Sequence, residues 1–176
     1  MLNISKKTNI VVKASLLLAL AFVLTFFEAP VLPAFPWLKV DLSAVSVLLS
    51  GFAFGPLVGV GVELFLNVLV FTLKGSGTGG IGEIANFIIV GSFVFTASMI
   101  FKAKRTRKSA ILGTVVASII MIPLAMAANE FLLLPLFFPN GMEPAMYRAY
   151  MTYGLPVFNL IKGSLISVTG ILFYDK

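Results

Sequence analysis

The apolar run GLPVFNLIKGSLISVTGILF, residues 154–173, contains one amide side chain and one charge, Asn159 and Lys162. Three residues apart on a helix, they lie about 60° from one another around the axis and share a face. An ammonium only donates hydrogen bonds, whereas an amide both donates and accepts, so the pair can meet a polar edge that alternates the two. Counted from Tyr153 at the outer end of the run, they lie about 9 to 14 Å deep at 1.5 Å per residue, deep for a lysine that must snorkel to water. An ionisable group at that depth marks a ligand or ion path by default; a hydrogen-bonded strut between helices is the competing reading. Asn86 in EIANF and Asn129 in AANEF, each as suited to helix packing as to ligand contact, extend the pair into a polar pocket that opens outward. Glu63 and Asn67, an i,i+4 pair, read as structural, with proton carriage by the carboxyl group as the alternative. Phe35, Trp37, Phe137, Phe138, Tyr147, Tyr150 and Tyr153 gather on the same side. Most suit an interfacial belt, and one or two could stack on a flat ligand.

The chain has no His and no Cys, which removes the commonest metal ligand and general base, thiolate chemistry and disulfides. Ser, Lys and Glu would have to carry any catalysis, and no such pair stands at a suitable spacing. These residues describe a binding protein without cofactor or metal rather than an enzyme.

What positions them is a set of membrane helices. Of the 176 residues, 59% are hydrophobic and 11% charged, and the mean hydropathy is +1.05, far from the roughly half apolar and quarter charged of a soluble domain. A crossing takes about 20 apolar residues. Runs at about Ile10–Phe27, Leu42–Phe54, Leu57–Leu73, Glu83–Phe101, Ser109–Leu134 and Tyr150–Tyr174 predict an all-α integral membrane protein of six transmembrane helices in one domain, 1–176. The second run is short, and Pro123 is expected to kink the fifth. The loop from Pro30 to Asp41, stiff with prolines, is placed over the pocket.

Basic residues orient the bundle. With the N-terminus cytoplasmic, that side holds Lys6, Lys7, Lys13, Lys102, Lys104, Arg105, Arg107, Lys108 and Lys176, against Lys39, Lys74 and Arg148 outside. Both termini are therefore expected inside the cell. The net charge of +6 is then a topological signal facing anionic lipid, and nucleic acid is not needed to explain it. Lysines before an apolar stretch also resemble a signal peptide, but the Ala19–Leu20–Ala21 triplet lies inside the run, which predicts a retained first helix.

Gly75, Gly77 and Gly80 satisfy G-x-G-x-x-G, yet the dinucleotide motif requires a preceding strand in a βαβ unit. Between two membrane helices the stretch reads as a flexible loop, with ligand contact through its backbone N–H groups as a second possibility. No P-loop sequence occurs, so the chain carries no such ATPase of its own.

Several stretches carry a family likeness: FPWLKVDLS, GFAFGPLVGVGVEL, GEIANFIIVGSF, NEFLLLPLF and PVFNLIKG. In this order, over nearly the whole chain, they resemble the riboflavin-specific substrate-binding (S) component of energy-coupling factor vitamin transporters. The resemblance implies six helices with both termini cytoplasmic in the bacterial cell membrane. It also implies that Asn159, Lys162 and Asn129 hydrogen-bond the polar edge of the isoalloxazine. Asn86, with Lys39 and Asp41 of the FPWLKVDLS stretch, completes the candidate substrate-binding set. Transport by such a component requires a membrane coupling subunit of the EcfT type and two cytoplasmic ATPases. The family docks its first helix on the coupling subunit through A-x-x-x-A, for which Ser15-x-x-x-Ala19 is the nearest equivalent here. Two positions depart from many relatives: Ala44 stands where they have a second acid, and Leu66 where they have a Lys near Asn67. An S component for another vitamin, a proton-coupled carrier using Glu63, and a ligand-free membrane scaffold are the alternatives.

Overall fold

In the computed structural model, residues 5–174 are described; Lys176, counted above among the cytoplasmic basic residues, lies outside them. Helix α1 (Lys6–Leu24) starts where Ser5 Oγ accepts the Thr8 N–H. It is followed by a hairpin of two-residue strands, β1 (Ala29–Pro30) and β2 (Lys39–Val40), paired antiparallel with Ala29 opposite Val40. Next come α2 (Ser43–Phe54) and α3 (Pro56–Leu69), the latter continuing into a π-helical turn, Val70–Lys74. Helix α4 spans Ile81–Lys104. Helix α5 (Arg107–Ala128) runs through Pro123 and on through a π-turn (Asn129–Leu133) into α6 (Leu134–Phe137). Helix α7 (Pro144–Ala149) leads by a third π-turn (Tyr150–Gly154) into α8 (Leu155–Tyr174).

Among the described residues, five helical stretches are long and apolar enough to cross a membrane: Lys6–Leu24, Pro56–Lys74, Ile81–Lys104, Arg107–Phe137 and Pro144–Phe173. With α2 they make the six expected helices, and the sixth begins at Pro144 rather than near Tyr150 because α7 and its π-turn continue the same rod. Helix α2, only 12 residues, has nine of them buried and packs against α1, α3, α4 and α8. Enclosed by protein, it need not match the bilayer thickness. The reversal between α2 and α3 turns on Gly55, at φ +109°, which an L side chain would strain, with Pro56 at the first helical position. The α4–α5 turn is closed by a capping box between Thr106 and Ser109, and a Cβ at Gly113 would stand 2.7 Å from the Ala97 carbonyl, so the two helices approach at backbone distance. Leu48, Phe93, Phe101, Met121 and Ile166 fill the centre. Ala44 and Leu66, the two departures, both belong to this apolar core at 2% exposure.

The hairpin is the one departure from an all-helical chain among the described residues. Its underside, Leu32, Phe35, Leu38 and Val40, forms a second apolar cluster with Tyr150, Leu155 and Phe158. Its edge is tied by Glu28, which accepts from Lys39 Nζ at 2.8 Å and from Lys74 Nζ at 3.1 Å; Lys74 also donates to the Thr25 carbonyl at 2.6 Å. The Lys39 hydrogen bond, with Lys74 beside it, holds the Glu28 carboxyl below the usual carboxylate range despite an opposing desolvation. A depressed pKa means the tie is complete at neutral pH and is lost as pH falls below the ordinary range through the lowered value. Because the pair is exposed, the effect is local. Glu28→Gln, or acid, is expected to speed hydrogen exchange of the Val31 amide, which donates to Leu38 O at 3.4 Å across the hairpin; exchange measured by mass spectrometry that is insensitive to both would show that packing alone holds the hairpin.

Candidate functional site

A cavity of about 480 Å³ lies beneath the hairpin, between α4, the end of α5, α6 and the first half of α8. That is inside the range of about 300–1,000 Å³ for small-molecule sites. Asn86 comes from α4, Asn129 from the π-turn after α5, Asn159 and Lys162 from α8 and Lys39 from the hairpin, and all five line it. Asp41 does not. Its Oδ1 accepts the Ser43 N–H at 2.6 Å at the start of α2, and it borders a smaller, more polar cavity of about 170 Å³. The two cavities share Lys39, Gly82, Asn86 and Lys162 as a common wall.

The amides differ in what they leave free. Asn159 Nδ2 donates to the Leu155 carbonyl four residues back at 2.9 Å, so its Oδ1 remains to accept from whatever enters. Asn129 Nδ2 likewise donates to Ala125 O at 2.8 Å, but its Oδ1 accepts from Tyr150 OH at 2.7 Å. Both residues at this contact stand first in a π-turn. Such turns redirect side chains that an unbroken α-helix would aim elsewhere, and they recur at functional sites. Lys162 Nζ donates once, to Asn86 Oδ1 at 3.1 Å, and an ammonium has two further donors. Behind Asn86 stand Asn67 and Glu63: Asn86 Nδ2 donates to Glu63 Oε1 at 3.0 Å and to Asn67 Oδ1 at 3.1 Å. The i,i+4 pair read as structural thus forms the rear of a polar chain that reaches the cavity.

The remaining wall is apolar and aromatic. Trp37, Phe137, Phe138 and Tyr150 line the cavity, more of the seven aromatics than the one or two expected there, while Phe35 packs within the hairpin's apolar cluster and Tyr147 donates its hydroxyl to Glu130 at 2.9 Å. Phe35, Trp37 and Tyr150 meet edge-on or tilted, with centroids 5.2 to 6.0 Å apart. Phe158, Leu155, Ala125 and Ile89 are among the aliphatic and aromatic residues that add to the lining; the signal for these four is their placement one turn from, or beside, the polar residues. The glycine-rich segment contributes Thr78 and Gly82. In this segment, expected as a flexible loop, the Ser76 and Thr78 hydroxyls donate to Glu83 at 2.8 and 3.2 Å and accept from the Gly80 and Gly82 N–H groups. A π-turn, not a strand, precedes it, which removes the dinucleotide reading. Ser15 and Ala19 lie far from this chemistry, on the exposed face of α1, while Ala14 and Leu18 turn toward the core.

The arrangement can hold a flat, partly apolar molecule whose polar edge needs both donors and acceptors. A family model for the substrate-specific component of ECF transporters matches residues 9–174. The chain is 38% identical over 165 residues to the riboflavin transporter RibU of Staphylococcus aureus (strain TCH60), covering 92% of this chain and 86% of that protein. It is 34% identical over 180 residues to the riboflavin transporter FmnP of Bacillus subtilis (strain 168), covering 97% and 92%. A solved structure described as the S component of a bacterial ECF transporter matches with a TM-score of 0.83 at 37% identity, covering 97% of this chain and 95% of that one. With the match running from the first turn of α1 to the end of α8, this multi-pass protein of the cytoplasmic membrane belongs to the substrate-specific components of ECF transporters.

Proposed function

We propose that the chain binds riboflavin in the larger cavity and delivers it into the cell as the S component of an ECF-type transporter. The observation that carries this reading is the convergence of Asn129, Asn159 and Lys162 on one cavity whose other walls are aromatic and aliphatic. The dione edge of riboflavin presents carbonyl, N–H and carbonyl in a row, which calls for donor, acceptor and donor. Lys162 supplies donors only, Asn159 has an oxygen free to accept, and Asn129 can offer either end once Tyr150 gives way. Unmet polar groups in such a place cost several kcal/mol, so the match matters more than it would in water. The dimethylbenzene end suits the Phe137 and Phe138 side, and the hydroxylated chain suits the polar wall shared with the smaller cavity. Relatives named for riboflavin favour this over another vitamin, and family membership favours a partnered component over a proton-coupled carrier or a ligand-free scaffold.

Uphill transport needs an energy source, and this chain has no P-loop. The reading therefore includes a membrane coupling subunit and two cytoplasmic ATPases as partners, with both termini on the cytoplasmic side in keeping with the distribution of Lys and Arg. The direct test is purification followed by a visible absorption spectrum and riboflavin titration. A flavin band and saturable binding are expected; a colourless protein that also fails to bind added riboflavin would falsify the assignment.

Trp37, the only tryptophan, is 46% exposed and lines the cavity from the hairpin. Its fluorescence is expected to fall as riboflavin fills the site, since the two ring systems come into contact. Unaltered emission at saturating riboflavin would remove the hairpin from the ligand's surroundings.

A further inference from the structure

Glu63 is 1% exposed, lines neither cavity, and has one carboxyl oxygen, Oε2, without a partner. A buried carboxyl group in a membrane helix is costly to keep, and nothing in the binding scheme above uses it. We propose that Glu63 is a positioning residue for the riboflavin site, acting through Asn86 to fix where the Lys162 ammonium stands. The inference rests on the riboflavin-binding reading of the cavity and adds to it a residue that never touches the ligand.

The direction in which the Asn86 amide faces decides what Lys162 meets. Asn86 can present either its carbonyl or its amino group to Lys162, and only the carbonyl is useful, because an ammonium cannot accept. The choice is made from behind. Glu63 Oε1 and Asn67 Oδ1 both accept from Asn86 Nδ2, at 3.0 and 3.1 Å, so the amino end is held inward and Oδ1 is left facing Lys162 Nζ at 3.1 Å. Asn67 is itself set by Glu63, donating to Oε1 at 2.7 Å and to the Glu63 carbonyl at 2.8 Å. Its own oxygen is thereby turned toward Asn86. One carboxyl group on α3 orients two amides, and the second delivers an acceptor to a lysine on α8. With one N–H of Lys162 occupied there, the other two are directed away from Asn86, toward the ligand's edge. A purely structural Glu63 would tie α3 to α4 and leave Lys162 indifferent.

The test is a set of variants of the full chain, purified in detergent, with riboflavin titrated and unfolding followed by circular dichroism without ligand. Glu63→Met removes the acceptor and is expected to weaken binding on the order of tenfold, while Glu63→Gln, which keeps an accepting oxygen, stays within about twofold. In a Lys162→Met background Glu63→Met is expected to cost nothing more, because the group it positions is gone. Asn86→Asp alone sets two carboxyl groups about 3 Å apart and is expected to lose binding. Undiminished binding by Glu63→Met, or an equal loss with and without Lys162, overturns the relay. If Glu63→Met itself does not fold, Asn67→Leu, which removes the other acceptor behind Asn86, is put through the same two comparisons, and undiminished binding or a loss independent of Lys162 overturns the relay. An original protein without affinity for riboflavin overturns the functional reading and this one with it, an outcome distinct from any seen in the variants alone.

Discussion

Lys162→Met and Asn159→Leu are each expected to weaken riboflavin binding by about 5- to 150-fold while leaving a folded protein. Either change leaves one polar atom of the ligand's edge desolvated and unpaired, a loss of about 1 to 3 kcal/mol. The folded state has less at stake. Among the described residues the Asn159 side chain bonds only to the Leu155 carbonyl of its own helix, and a leucine there keeps the helix and the branched shape of the side chain. Lys162 makes one protein hydrogen bond, to Asn86, and methionine retains its unbranched stem. Titration by flavin fluorescence, beside a melting curve without ligand, separates the two effects. Binding unchanged in both variants would move the polar edge of the ligand to another wall; binding lost together with the melting transition would make these residues structural.

The membrane helices were legible in the sequence because span length and hydropathy are one-dimensional properties: each of the five long stretches overlaps an apolar run read off the chain. The brevity of the second run was legible too, but not its cause, since nothing in Leu42–Phe54 tells that α2 is enclosed by four other helices. The site was legible as residue types and not as contacts. Lys162 and Asn86 are 76 positions apart, and Asn86 and Glu63 are 23 apart; each reads alone as a packing amide or a lone charge, and only the crossing of α3, α4 and α8 makes a relay of them. Three π-turns escaped notice because an extra residue in a helical turn leaves no mark on composition, yet two of them bring Asn129 and Tyr150 face to face. Asp41 was drawn into the site by its neighbours in FPWLKVDLS, whereas its short side chain is spent on the first turn of α2, the local capping use to which aspartate is prone.

Replacing both Ser15 and Ala19 with leucine is expected to abolish riboflavin uptake by cells that depend on this protein, while the purified variant still binds riboflavin. Both residues lie one turn apart in the middle of α1, on the face where Val11, Leu16, Leu20 and Val23 are also exposed. The adjoining face carries Ala14, Leu18, Ala21 and Phe22 against the core, and α1 is held to α2 by the Ser46 hydroxyl donating to the Leu17 carbonyl; Ser15 and Ala19 themselves are exposed, so leucines there are expected to extend away from the packing within the chain. Neither position borders either cavity. In hydrocarbon an exposed leucine is no less comfortable than alanine, and the isolated chain is therefore expected to melt as before. A partner helix is another matter, because small residues one turn apart allow two helix backbones to come close, and association in lipid depends on that close packing rather than on a hydrophobic drive. Two inserted isobutyl groups hold the partner away along the whole contact. Binding measured on the purified variant and uptake measured in cells give the two readings separately. Normal uptake would take the coupling subunit off this face of α1; lost binding would mean that Ser15 and Ala19 support the fold of the chain itself.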